Sequence, residues 1–113
     1  MKPPKPPAWL SRFARDEWRR VAGALARRGA LTPEIEGLVC AYCSAIGTVR
    51  EAEIILSKEG MTVEAQQGGV RAHPAISAKA QSSNIALQIA KRLGLFDDTT
   101  PEATDDYSEL GVR

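Results

Sequence analysis

The chain has 113 residues, 43% of them hydrophobic and 26% charged, with a formal net charge of +1. That is one small domain with end extensions, burying roughly 60–65% of its extended surface. No apolar run approaches the ~20 residues of a membrane-spanning helix, no apolar signal region follows the basic start, and two cysteines are too few for a disulfide scaffold.

The near-neutral total hides a split. The first 28 residues hold eight Lys/Arg (Lys2, Lys5, Arg12, Arg15, Arg19, Arg20, Arg27, Arg28) against Asp16 and Glu17, a net of +6. From residue 97 onward, Asp97, Asp98, Glu102, Asp105, Asp106 and Glu109 stand against Arg113, a net of −5. Such asymmetry points to two partners, a polyanion at the head and another molecule at the tail.

Residues 1–10 are rich in Lys and Pro, which excludes a helix and predicts a stiff, extended, basic arm. Ser11 reads as an N-cap. Leu10, Phe13, Ala14, Trp18, Val21, Ala22 and Leu25 then recur at helical spacing, and Gly29 supplies a stop, predicting a helix over about 11–28. Arg12, Arg15 and Arg19 fall together opposite that stripe, with Arg20 and Arg27 flanking them and Asp16 pairing with Arg19 or Arg20.

Thr32-Pro33-Glu34 opens a second helix, expected to run over 33–59 before Gly60 stops it. Ile35, Tyr42, Val49 and Leu56 repeat every seven residues, with Leu38 three after the first; Val39 and Ile46 widen the stripe into a second seam. A helix with two seams packs against more than one neighbour, so these residues are the candidate oligomerisation face. Residues 61–72, with Gln66-Gln67-Gly68-Gly69 as the turn, predict a short β-hairpin. His73-Pro74 opens a third helix over 74–93, stopped by Gly94. The ordered core is thus expected over 11–96. The acidic run 97–113 is expected to be flexible alone, with Tyr107 and Leu110 as a short peptide for a protein partner.

Little in the chain carries chemistry. Cys40 and Cys43 form a C-x-x-C, but they lie well inside a helix, where a redox pair needs a helix N-terminus and a zinc site needs a second ligand pair. Both read as core cysteines suited to a reducing cytosol. His73, the single histidine, reads as a helix cap or hairpin residue. Gly68-Gly69 lacks the Lys and Ser/Thr of a nucleotide loop. The expectation is no enzyme, no metal and no cofactor. What remains is phosphate contact by Lys2, Lys5, Arg12, Arg15, Arg19, Arg20 and Arg27, since guanidinium groups bind phosphate oxygens in pairs. The alternative is a solvated basic face.

A run of short motifs resembles one family. Pro6-Pro7-Ala8-Trp9-Leu10-Ser11 is followed by Glu17-Trp18 with Leu25, then Gly29-Ala30-Leu31-Thr32 opening the second helix. Tyr42-Cys43-Ser44-Ala45, Ala52-Glu53, Glu59-Gly60-Met61, Gly68-Gly69-Val70, His73-Pro74 and Leu93-Gly94-Leu95 follow in order. Over residues 3–96 the chain resembles the short terminase small subunits of tailed phages, prophages and gene transfer agents. The resemblance implies a mainly α fold: a long helical hairpin with a third helix and a β-hairpin insert, assembled into a ring-forming oligomer. It also implies a non-enzymatic role in the cytoplasm of a bacterial host: weak, mostly non-specific binding of double-stranded DNA and its transfer to the large terminase subunit. The chain departs from that pattern after Leu95, where an acidic run replaces a basic segment and directs the tail toward protein. The competing expectation is a small, antitoxin-like scaffold that binds protein alone.

Overall fold

Three helices and one two-stranded hairpin form residues 4–95, the part described by the computed structural model. In chain order they are α1 (Arg12–Arg27), α2 (Pro33–Glu59), β1 (Thr62–Glu64), β2 (Val70–Ala72) and α3 (Pro74–Leu93). The protein is therefore mainly helical, as expected. Residues 97–113, with Tyr107 and Leu110, lie outside the described residues, as does Lys2.

The helix ends are set by local chemistry. Ser11 Oγ accepts from the Ala14 amide at 3.3 Å and caps α1. At the far end the Ala30 amide donates to the Leu25 carbonyl at 2.8 Å and Gly29 to Ala26 at 3.0 Å. That paired closure needs a left-handed residue, supplied by Gly29 at φ 67°. α3 closes identically: Leu95 donates to Ala90 and Gly94 to Lys91, with Gly94 at φ 68°. Thr32 stands at the N-cap of α2 without a side-chain cap bond; Pro33 and the first-turn acids Glu34 and Glu36 start that helix instead. His73 caps α3 through Nδ1, which accepts from the Ala75 amide at 3.0 Å, while Nε2 meets Glu59 Oε1 at 2.9 Å. One imidazole thus ties the end of α2 to the start of α3.

The hairpin pairs Thr62 with Ala72, Val63 with Arg71 and Glu64 with Val70, antiparallel. Gly68 donates to the Ala65 carbonyl and Ala65 to the Gly69 carbonyl. This is a three-residue loop whose return needs positive φ.

α2 is the central element. α1 packs on one side of it, and α3 runs back along it from the hairpin. Leu10, Ala14, Trp18, Val21, Ala22 and Leu25 meet Val39, Tyr42, Cys43 and Ala45, and Ala86, Ala90 and Leu93 complete one core. Cys43 is fully buried, and desolvation pushes its thiol up to about 12. It packs as a small apolar side chain, without a reactive thiolate.

Small residues set how closely the helices approach. A Cβ on Gly47 would stand 2.9 Å from Ser11 Oγ and 3.2 Å from the Ala14 amide nitrogen. Gly47→Ala gains about 1 kcal/mol of helix propensity but crowds the α1 cap, a loss of about 1–3 kcal/mol. We expect a net destabilisation of about 1 kcal/mol in urea unfolding; a stabilised variant would show that α1 does not seat here.

Two features differ from expectation. The N-terminal segment does not project freely over its described length: it turns at residues 7–10 and lies back against α1. Leu10 is buried, its amide donates to the Pro7 carbonyl, and Trp18 Nε1 donates to the Pro4 carbonyl at 2.9 Å. An indole N–H buried in the core needs an acceptor, and the arm supplies it. The seam on α2 is also partly covered within the chain. Val39 is fully buried and Tyr42 buried, while Ile35, Leu38 and Ile46 pack half-buried against the same core. Val49 and Leu56 are half-buried. Seven-residue spacing gives the apolar face but not the chain that covers it.

Candidate nucleic-acid interface

α1 turns its apolar stripe to α2 and so holds its arginines outward, but those arginines are not equivalent. Arg19 pairs with Asp16 at 3.0 Å. Arg20 pairs with Glu17, which also accepts from the Tyr42 hydroxyl at 2.9 Å. Glu17 is itself mostly covered, and this bond raises the Arg20 pKa further. Burial first, then the bond to Glu17, pushes the Tyr42 hydroxyl up to about 12, so it stays a donor. Two of the seven residues expected to meet phosphate are thus partly neutralised, although exposed pairs contribute little stability.

Arg15 and Arg28 are used differently. Arg15 donates to the Leu10 carbonyl at 2.8 Å, holding the arm. Arg28 donates to the Gly94 carbonyl at 3.1 Å, linking α1 to the end of α3. A carbonyl oxygen satisfies a donor without cancelling its charge, so both keep a full positive charge beside the helix. Lys5 and Arg27 are exposed and form no ion pair among the described residues.

Two further cations, one from each of two helices, meet at a single aromatic ring. The Arg12 guanidinium carbon is 5.3 Å from the Phe13 ring centroid, and that of Arg50, on α2, is 5.7 Å from it. Each contact is worth about 0.5–1 kcal/mol. Among the described residues neither guanidinium is held by a carboxylate. The one ring thus serves two uncompensated positive charges from two helices, α1 and α2. Arg20 and Arg50 line one shallow depression with Phe13, Asp16, Glu17 and Ile46. Trp9, 70% exposed, stands just before α1.

The structure thus places Arg12, Arg15, Arg19, Arg20 and Arg27 on one helix, and the bond from Trp18 to the Pro4 carbonyl brings the neighbouring Lys5 back beside that helix. Sequence reasoning missed Arg50 and Trp9. Arg50 belongs to another helix, and the only signal for it was a charge on the flank of an otherwise apolar stripe. Trp9 was read as a family motif residue, and its exposure was not legible. Among the described residues, no group of three or more His, Cys, Asp or Glu is placed to hold a metal, and no helix is long and apolar enough to cross a membrane.

Residues 14–105 match the family model described as phage terminase, small subunit. No curated protein and no solved structure matches the chain.

Proposed function

From the chain's membership of the phage terminase small-subunit family, which this match demonstrates, we propose that it works as a non-catalytic DNA-binding adaptor. Copies assemble into a ring, turn their basic faces toward double-stranded DNA and pass that DNA to the large terminase subunit for packaging into capsids. The work is done in the cytoplasm of the bacterial host. The observation that carries this reading is the convergence of Arg12 and Arg50 on Phe13, on the helix that also carries Arg15, Arg19, Arg20 and Arg27.

Phosphate contact by charge alone positions DNA without reading sequence, so binding is weak and largely non-specific for one copy. Repetition around a ring multiplies it. Because the middle of α2 is partly covered within the chain, self-association draws also on apolar residues beyond it. Ile54, Ile55, Met61, Val70 and Ile85 are exposed and apolar, on the hairpin, the adjoining end of α2 and the outer side of α3. The acidic tail, with Tyr107 and Leu110, is the segment offered to the large subunit.

Static light scattering tests the assembly. A particle several times the 12.2 kDa of one chain is expected at tens of micromolar. Ile54→Asp with Ile55→Asp should reduce that mass, because two carboxylates would be desolvated in each interface. A monomer that binds duplex equally well would remove the ring from the proposal.

A further inference from the structure

A second groove, of about 500 Å³, opens between α1, α2 and α3. Its lining includes the apolar Val21, Ile46, Val49 and Leu87 together with the cationic Arg20 and Arg28. The volume lies in the range of small-ligand sites, and a lining both apolar and cationic fits an anionic, partly apolar occupant. Leu95, the last described residue, lines the same groove. The chain therefore leaves the fold at the groove's edge.

The segment that follows has the complementary chemistry. Residues 96–113 hold Asp97, Asp98, Glu102, Asp105, Asp106 and Glu109 around Phe96, Tyr107 and Leu110. Tyr107 and Leu110 are only three residues apart in the sequence, so one short segment carries both apolar side chains. The link from Leu95 to Tyr107 is 12 residues (107 − 95). A link of that length at coil dimensions would span about 20 Å, enough to give its far end a roughly millimolar effective concentration at the groove. Arg28 is tied to carbonyl oxygens and keeps its charge, and Arg20, with a 68% exposed side chain, can take a second carboxylate beside Glu17.

We propose that this groove is the docking site of the chain's own C-terminal segment. Tyr107 and Leu110 meet the apolar lining and the neighbouring carboxylates meet Arg20 and Arg28. The free chain holds its tail in this way until a partner claims it. Where α1 also binds DNA as argued above, the docked tail screens Arg20 and Arg28 and competes with phosphate. That consequence rests on the DNA-binding reading; the docking itself does not.

Methyl NMR of the full chain tests the docking. Tyr107→Ser with Leu110→Ser should shift the methyl signals of Val21, Val49 and Leu87, and a peptide copy of residues 96–113 added to that variant should move them back. Leu87→Glu should send the backbone signals of the tail to their positions in the isolated peptide. Unmoved groove methyls in the double variant would overturn the docking. Contacts that appear only between differently labelled copies would also overturn it, by assigning the groove to a neighbour's tail. In parallel, the double variant should bind a short duplex about 5-fold more tightly at low salt. Shifted methyls with unchanged duplex affinity would overturn the screening, and failure of every variant to bind duplex would count against the DNA-binding reading while the NMR result still judged the docking.

Discussion

Trp18→Ala is expected to destabilise the fold by about 3–5 kcal/mol, the usual range for removing a buried Trp ring. Trp18 is 1% exposed and one of the largest fully buried side chains. It sits at the centre of the α1 stripe and packs in the cluster that joins all three helices. Domains of this kind are stable by only about 5–15 kcal/mol, so a substantial unfolded fraction at 37 °C is expected for the lower end of that range. Urea unfolding followed by far-UV circular dichroism measures the loss without relying on the indole removed.

The companion variant separates packing from anchoring. Trp18→Phe keeps most of the ring but removes the donor to the Pro4 carbonyl, which predicts a smaller loss of about 1–2 kcal/mol. It should also release the segment carrying Lys5, visible as faster amide exchange near Leu10. Equal, small losses for both variants would mean that the indole neither fills the core nor tethers the arm.

How much of this was legible depended on whether the cause was local. Thr32-Pro33 and Gly60 bound α2, and His73-Pro74 and Gly94 bound α3, because Pro and left-handed Gly act within one turn. The Arg19–Asp16 pair was equally readable, being three residues apart on one helix. Three features were not. The arm reads as extended because Pro forbids a helix, yet the indole that pulls it back lies far along α1. The α2 seam reads as open because periodicity marks an apolar face without saying that α1 and α3 cover Val39 and Tyr42. Arg50 has no pattern of its own; only the seating of α1 on α2 brings it to Phe13. The basic helix was therefore visible in the sequence, but the meeting of Arg12 and Arg50 at Phe13 was a tertiary fact.

That tertiary fact sets the largest functional effect. Arg12→Ala with Arg50→Ala should weaken duplex binding at low salt by about 100-fold, from two charge-assisted contacts of about 1.5 kcal/mol each. The slope of log affinity against log salt should become shallower by about 2 for each copy engaged. Arg12→Lys with Arg50→Lys should retain most of the slope while losing paired contact geometry. Arg19→Ala is the control: its guanidinium is already partnered by Asp16, and removing it leaves that carboxylate free, so a loss of only a few-fold is expected. Fluorescence anisotropy across a salt series reads all three. If Arg19→Ala costs as much as the double variant, DNA lies along the outer side of α1 and the pair of guanidiniums at Phe13 serves packing. If the double variant alone is crippled, DNA sits across both helices. That orientation would also explain why α1 must be held so firmly on α2 by Gly47, Trp18 and the Tyr42–Glu17 bond, since a shift of α1 would part the two charges that meet the phosphates.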